Sequence, residues 1–184
     1  MLYCVLHSVL AATSLKSIIA KNMQGWFMNY RLAYNIFAAV GLIAIIVFQI
    51  SMQSFFLFQQ SQISIIGGSI IGTAGLLLMG ICISKYFKDL SGIFKEKINN
   101  GQLIIAGVHQ WVRHPLYLGT FIFLWGGWLA YPLLSLLISN IVITIYTIIG
   151  IKFEEKKLVK EFGESYRSYQ QQVPMILPFR KPQS

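Results

Sequence analysis

The chain has 184 residues, of which 55% are hydrophobic and only 11% are charged, and its mean hydropathy is +0.62. These values exclude an ordinary water-soluble domain, in which about 25% of residues are charged. The net charge is +9, because 15 Lys and Arg residues outnumber 6 Asp and Glu residues. The composition predicts an all-α, polytopic membrane helix bundle, and the charge indicates attraction to membrane lipids, with no nucleic-acid partner.

The first predicted element is a membrane span at the N-terminus. Residues 1–15 are uncharged, and they form a span if the helix extends toward Ala20 and Lys16 snorkels to the headgroups. A cleaved signal peptide would carry a basic residue before its apolar region, whereas Lys16 is the first basic residue and follows that region. The segment is therefore interpreted as a retained helix.

The next uncharged block covers residues 32–84, which contain no Asp, Glu, Lys or Arg. A spanning helix needs about 20 mostly apolar residues, so this block is long enough for two. The polar sequence QQSQ at 59–62 separates a second span near residues 32–50 from a third near residues 63–84.

A further uncharged block covers residues 114–151. The sequence YPLLS at 131–135 leaves room only for a tight hairpin, which predicts antiparallel fourth and fifth spans. No internal repeat or linker interrupts the chain, so the five spans form a single domain, residues 1–184. Residues 1–84 hold three spans, and residues 85–184 hold the polar chemistry.

The basic residues orient the predicted bundle. Three lie between spans one and two, five between spans three and four, and seven after span five. The other two loops carry no charge. Under the positive-inside rule, the N-terminus is predicted to be outside and the C-terminus cytoplasmic.

Two charged segments on the cytoplasmic side have helical patterns. The sequence KYFKDLSGIFKEKINNG at 85–101 predicts an interfacial helix ended by Gly101. After span five, apolar residues at helical spacing indicate a cytoplasmic C-terminal helix with an apolar stripe: Leu158, Phe162, Tyr166 and Tyr169. Gly163 is expected to break this helix into two pieces.

Arg113 and His114 stand at the start of the fourth span, directly before Pro115. Proline suits the first turn of a helix, where its missing N–H has no intrahelical partner, so the two side chains are predicted at headgroup depth. Tyr117 offers a ring with a polar tip, and Gly119 permits close approach of a backbone or ligand.

Glu154 and Glu155 stand at the cytoplasmic end of the fifth span. Because the hairpin makes this span an antiparallel neighbour of the fourth, we expect the two carboxylates to face Arg113 across one cytoplasmic vestibule. Such an arrangement suits a zwitterionic ligand.

Two stretches carry a family resemblance: GVHQWVRHPLYLG at 107–119 and EEKKLVKEFGESYRSYQQQVPMILP at 154–178. They combine RHPxYxG, a Glu pair, FGxxYxxY and VPxxxP, and they resemble the C-terminal half of the isoprenylcysteine carboxyl methyltransferase and phospholipid methyltransferase superfamily. The N-terminal half, with YRLAYN at 30–35, is similar more loosely to the bacterial branch that includes methanethiol S-methyltransferases.

The resemblance implies a methyltransferase of the bacterial inner membrane that uses S-adenosyl-L-methionine. Arg113 and Glu155 are the implied catalytic residues. Arg113 would supply a counter-charge to an anionic group, and a glutamate would hold the cofactor's ammonium or ribose. The implied cofactor-binding residues are His109, His114, Pro115, Tyr117, Leu118, Gly119, Glu154, Glu155 and Tyr166, with the histidines on the cofactor's carboxylate and Tyr117 or Tyr166 packing on adenine.

The methyl acceptor implied by the resemblance is a lipophilic or small molecule. An isoprenylcysteine-like carboxylate is the first expectation, and a thiol or a phospholipid amine is the alternative. The two cysteines, Cys4 and Cys82, lack the spacing of a metal site, and none is predicted.

Other interpretations of the same residues stay open. Arg113 and His114 are also suited to anchoring the fourth span among phosphates, and EEKK at a helix exit also fits a solvated face. At the level of the protein, the alternatives are a non-catalytic assembly module and a haem or quinone protein using His7, His109 and His114. The last would place two facing histidines at mid-membrane depth, whereas His109 and His114 share one interface.

Overall fold

The computed structural model of the protein describes residues 27–91, 105 and 107–178. These residues form five α-helices and a short 3-10 helix, Gly107–Gln110, and they contain no β-strand beyond an isolated bridge between Phe56 and Leu133. The helices are α1 (Phe27–Ser51), α2 (Gln62–Ser91), α3 (Pro115–Ala130), α4 (Leu134–Phe162) and α5 (Glu164–Gln172). The predicted all-α class is confirmed for the described part of the chain.

Among the helices that the structure describes, three are long and apolar enough to cross a membrane: Leu32–Ser51 in α1, Gln62–Ser84 in α2, and α4. Helix α3 is also apolar but has 16 residues, which rise about 24 Å and fall short of a typical 30 Å hydrocarbon core. The predicted first span lies outside the described residues. The count of five spans therefore stays a prediction.

The predicted interfacial helix at 85–101 needs a correction. Residues 85–91 continue α2 without a break as far as Ser91, so this part is not a separate element. Residues 92–101 lie outside the described part of the chain.

The described residues divide into two compact units, one ending at Phe55 and the other beginning at Phe56. The first contains α1, whose apolar side chains are largely exposed, as expected of a helix that meets lipid. The second contains α2 to α5 and every residue of the predicted site that the structure describes. The predicted single domain stays a prediction.

Helices α2 and α3 contact each other through glycines. A Cβ atom added at Gly68 would lie 2.4 Å from the Ala130 nitrogen, and one added at Gly75 would lie 2.4 Å from the Phe123 nitrogen. In return, a Cβ at Gly126 would lie 2.4 Å from the Gly72 nitrogen. The two backbones thus touch directly. In a membrane, apolar helices associate through close packing, and small residues permit this packing because they let the backbones approach.

Helices α3 and α4 form the predicted hairpin, with only residues 131–133 between them. Two polar contacts join the helices within their apolar lengths. Asn140 Nδ2 donates to the Leu124 carbonyl at 2.8 Å, and Trp125 Nε1 donates to Thr144 Oγ1 at 3.2 Å. Because Asn140 is buried, its hydrogen bond offsets the cost of placing an amide among apolar side chains.

Gly163 separates α4 from α5, as predicted, with a φ of +58° that glycine adopts without steric cost. The turn folds α5 back onto the end of α4. Tyr166 and Tyr169 of α5 and Val173 directly after it are buried and pack against Leu158, Val159 and Phe162. The predicted apolar stripe thus closes a small core, and residues 173–178 return toward the start of α3.

Candidate active site

The returning tail is hydrogen-bonded to the residues that precede α3. The backbone N–H of Arg113 donates to the Pro174 carbonyl at 2.9 Å, and that of His114 donates to the Met175 carbonyl at 3.1 Å. Pro115 is buried and occupies the first turn of α3, as predicted. The tail and the first turn of α3 are therefore held in a fixed register.

The side chain of Arg113 reaches both α4 and the tail. Its Nε donates to Glu155 Oε1 at 2.6 Å, while Nη1 donates to the Gln170 carbonyl at 3.0 Å and to the Val173 carbonyl. The side chains of Arg113 and Glu155 are only 9% and 13% exposed. A nearly buried ion pair of this kind depends on additional hydrogen bonds to offset desolvation, and the carbonyls of Gln170 and Val173 provide them.

Glu155 is the point at which these hydrogen bonds converge. Besides Arg113, its Oε1 lies 3.1 Å from His114 Nε2, which donates when that nitrogen carries the proton, and 3.4 Å from the donating hydroxyl of Tyr166. Its Oε2 accepts from Gln170 Nε2 at 3.0 Å. Three donors thus converge on Oε1 and one on Oε2, so most of the roughly four acceptor positions of the carboxylate are used.

Tyr166 lies inside the core formed by α4 and α5, with only 2% of its surface exposed. Burial, and after it the negative charge of Glu155, raises the pKa of the Tyr166 phenol, so its hydroxyl stays protonated and donates. The predicted packing of Tyr166 on adenine stays a prediction, and the burial of the ring favours a role in holding Glu155 instead.

Glu154 has a different environment from its neighbour. Its Oε2 accepts from the Tyr117 hydroxyl at 3.3 Å and lies 4.0 Å from His114 Nδ1, and its side chain is 45% exposed. The rings of His114 and Tyr117 lie 5.8 Å apart at a tilt of 38°. Glu154, His114 and Tyr117 thus form an accessible polar cluster beside the buried one.

His109 lies in the 3-10 helix and forms hydrogen bonds with Arg113 and Tyr169. Its Nδ1 lies 3.1 Å from the Arg113 carbonyl, and its own carbonyl accepts from the Tyr169 hydroxyl at 2.6 Å. These contacts connect the 3-10 helix to α5 and to the residue before His114. The predicted contact of His109 with a cofactor stays a prediction.

Two of the predicted cofactor-binding residues, Leu118 and Gly119, lie in the apolar part of α3. A Cβ at Gly119 would lie 2.8 Å from Met79 Cγ and 3.0 Å from the Gly75 carbonyl, so this glycine permits the close approach of a backbone. Leu118 lines an apolar groove of about 430 Å³. The other side chains of this groove belong to α2, α3 and the tail and include Ile71, Phe121, Trp125, Trp128, Ile176 and Leu177.

A second pocket, of about 320 Å³, lies where α4 meets α5. It is lined by Lys152, Glu155, Lys156, Val159 and Gln170. The two lysine side chains are exposed, so the pocket presents positive charge next to the already paired Glu155.

The sequence interpretation missed several contributors: Gln170, the carbonyls of Val173, Pro174 and Met175, and Tyr169 as a donor to His109. Gln170 directly follows FGxxYxxY, and this position beside the motif is the one signal that pointed to it. Backbone carbonyls have no sequence signal, because every residue carries one.

Residues 17–173 match the sequence profile of a family described as "Protein of unknown function (DUF1295)". The match covers most of the chain. The chain belongs to this family. The predicted relationship to the isoprenylcysteine methyltransferase superfamily is confirmed at the same time, because the relatives found by sequence are methyltransferases of that kind.

A methanethiol S-methyltransferase of Crocosphaera subtropica is 44% identical over 73 residues, which are 39% of this chain and 27% of the relative. One from Pseudomonas deceptionensis is 34% identical over 112 residues, covering 56% of this chain and 41% of the relative. The rat protein-S-isoprenylcysteine O-methyltransferase is 26% identical over 187 aligned positions, covering 95% of this chain and 61% of the relative.

The chain thus spans between 27% and 61% of the length of these three relatives. No solved structure shows significant similarity to it.

Proposed function

We propose that the chain is a membrane methyltransferase that transfers a methyl group from S-adenosyl-L-methionine to a lipophilic or small acceptor. The observation that carries the proposal is the convergence on Glu155 of Arg113, His114, Tyr166 and Gln170. These residues come from the two stretches that resemble the methyltransferase superfamily, and they lie where the tail meets the first turn of α3. The names of the relatives support the same chemistry.

The side chains present fit a zwitterionic cofactor with a cationic sulfonium. Glu154 offers a half-exposed carboxylate beside the ring of Tyr117, and the pocket lined by Lys152 and Lys156 offers positive charge for an anionic group. A volume of about 320 Å³ is at the lower end of the range for small-molecule sites, about 300 to 1,000 Å³. When bound, S-adenosyl-L-methionine supplies a methyl group that is activated by the positive sulfur.

The task of the protein in such a reaction is mainly to position and to exclude water. Arg113 contributes as a positioning residue, because its hydrogen bonds go to Glu155 and to the carbonyls of Gln170 in α5 and Val173 in the tail. This role differs from the counter-charge expected from the sequence alone. Holding the tail against α3 also keeps His114 and Tyr117 in one orientation next to Glu154.

The apolar groove favours a lipophilic acceptor. Its lining includes Leu118, one turn from His114, and Ile176, the residue after the carbonyl that binds the His114 N–H. From Leu118 to Leu129 the groove follows α3 for about 16 Å. A chain inserted there would have its head beside the polar cluster. The similarity to methanethiol S-methyltransferases favours a small thiol as the second candidate.

The proposal is tested by incubating the purified protein in lipid with methyl-labelled S-adenosyl-L-methionine and three acceptors: a farnesylcysteine carboxylate, methanethiol and phosphatidylethanolamine. Label in the farnesylcysteine product supports the groove as the acceptor site, and label in methanethiol supports the second candidate. Label in none of the three would favour a non-catalytic module.

We also propose that the N-terminus is outside and that the C-terminus is cytoplasmic, in a bacterial inner membrane. The support is the one-sided distribution of the basic residues along the sequence. Accessibility tags placed after Gln60 and at Ser184 are expected to report opposite sides. Tags on the same side would contradict the five-span arrangement.

A further inference from the structure

Two acidic residues stand side by side in α4, yet the structure gives them different surroundings. Glu155 is 13% exposed and is approached by four donors. Glu154 is 45% exposed, and among the described residues it accepts one hydrogen bond, from Tyr117. The sequence alone does not distinguish the two, because both stand at the same helix exit.

We infer that the two carboxylates have separate roles: Glu155 fastens α5 to the residues at the start of α3, and Glu154 binds the cationic centre of the ligand. The second half of this inference rests on the proposed function, whereas the first half does not. Glu155 is thus a positioning residue, and the ligand-binding carboxylate is its exposed neighbour.

The first half follows from the hydrogen bonds of Glu155. A carboxylate has about four acceptor positions, and Arg113, His114, Tyr166 and Gln170 supply four donors. Arg113, His114 and Tyr166 all approach Oε1, so a ligand ammonium there would leave a nearly buried donor without its partner, which is costly. On Oε2, where Gln170 donates, one acceptor position stays open. In addition, Lys152 and Lys156 line the pocket beside Glu155 and would repel a cation there.

The second half follows from the exposure of the Glu154 carboxylate, which leaves acceptor positions available to a ligand. Its Oε2 faces the Tyr117 hydroxyl and His114 Nδ1, and the rest of its carboxylate is open to a ligand. A carboxylate next to a tyrosine ring is suited to a sulfonium or ammonium group, because the ring face adds a cation–π attraction to the charge. The cation-binding cluster is therefore Glu154 and Tyr117.

The experiment compares Glu154→Gln and Glu155→Gln, which keep side-chain size and remove charge, in phospholipid nanodiscs. The first readout needs no ligand: the rate of trypsin cleavage after Arg167, an exposed residue in α5. Glu155→Gln is expected to raise this rate about tenfold, because α5 opens more often when its hydrogen bonds weaken. Glu154→Gln is expected to leave the rate within about twofold of the parent.

The second readout is equilibrium binding of S-adenosyl-L-methionine and of S-adenosylhomocysteine, which lacks the positive sulfur. Glu154→Gln is expected to weaken binding of the first ligand about tenfold. Loss restricted to S-adenosyl-L-methionine would identify the sulfonium as the partner, and equal loss for both ligands would identify the ammonium. Unchanged binding of both ligands to Glu154→Gln would overturn the assigned role of Glu154.

A milder variant covers the case in which Glu155→Gln does not fold. Gln170→Met removes the donor to Glu155 Oε2 and keeps the Gln170 backbone carbonyl that Arg113 binds, so it should raise the cleavage rate by a smaller factor. Parent-like cleavage in both Glu155→Gln and Gln170→Met would overturn the role of Glu155. If the parent protein binds neither ligand, the proposed function and the role of Glu154 both fail, while the cleavage rates still decide the role of Glu155.

Discussion

Two contacts hold α3 in place: one is a close packing of glycines, and the other is a set of hydrogen bonds and an ion pair. Along its length, α3 meets α2 through glycines whose backbones touch. At its start, α3 meets the tail through charged and hydrogen-bonded groups, with Arg113 and Glu155 at the centre. The first contact lies among apolar residues, where steric fit provides the specificity. The second lies next to the charged C-terminal part of the chain, where hydrogen bonds provide the specificity.

The difference predicts which substitutions each contact tolerates. A backbone-to-backbone contact has no space for one added carbon, and the atoms that would have to move belong to the helices themselves. A hydrogen-bonded contact instead loses stability one donor at a time. We therefore expect the largest effects from single methyl groups added between α2 and α3, and graded effects at the tail.

The largest effect is expected from Gly68→Ala. Its Cβ would lie 2.4 Å from the Ala130 nitrogen and 2.6 Å from the Gly126 carbonyl oxygen, so α2 and α3 must separate. We expect a loss of about 3 kcal/mol of stability, measured by unfolding in mixed detergent micelles. Gly67→Ala is the matched control, because a Cβ there meets no described atom within 4 Å. Equal stability of the two variants would contradict the close contact.

A smaller but still large effect is expected from Arg113→Lys. Lysine keeps the charge opposite Glu155 but cannot also bind the Gln170 and Val173 carbonyls, since it lacks the planar fork of arginine. We expect a loss of about 2 kcal/mol, faster proteolysis of the tail and at least about a tenfold lower turnover, because a misplacement of about 1 Å can cost on the order of a hundredfold.

The alternative role for Arg113, a membrane anchor, makes the reverse prediction. Lysine snorkels as arginine does, so an anchor would work nearly normally after Arg113→Lys and fail to insert after Arg113→Ala. That pair of results would remove Arg113 from the site.

The sequence predicts those parts of this fold that depend on local chemistry. Pro115 begins α3 because its ring suits the first turn, and Gly163 ends α4 because the turn needs a positive φ. The α2–α3 contact is different. Gly67 and Gly68 are indistinguishable in the sequence, and only the crossing of the helices decides which one meets backbone.

The candidate site was predictable to a similar degree. The hairpin between α3 and α4 brings the residues of RHPxYxG and the Glu pair to the same end of the bundle, and the structure places Arg113 and Glu155 in contact. The division between Glu154 and Glu155 was not predictable, because it depends on where Tyr166 and Gln170 lie after Gly163 reverses the chain. Partners on a folded-back tail have no fixed sequence spacing from the residues they bind.

A moderate effect is expected from Tyr169→Phe. The substitution keeps a buried aromatic ring in the α4–α5 core and removes only the hydroxyl that donates to the His109 carbonyl at 2.6 Å. We expect a loss of about 1 kcal/mol, the usual contribution of one hydrogen bond, measured as the change in free energy of unfolding. A loss of about 3 kcal/mol or more would mean that the ring also shifts.

The smallest effect is expected from Arg167→Gln in α5. Arg167 and Glu164 form an ion pair at 3.6 Å, as Arg113 and Glu155 do at 2.6 Å, but their side chains are 62% and 81% exposed. Exposed pairs contribute little, because water competes for both charges and two long side chains lose conformational freedom. We expect a change below about 0.5 kcal/mol in the same unfolding measurement. If Arg167→Gln were as destabilising as Arg113→Lys, we would conclude that any positive charge stabilises this end of the chain. If the change is as small as expected, the stability of the tail comes from the buried hydrogen bonds of Arg113.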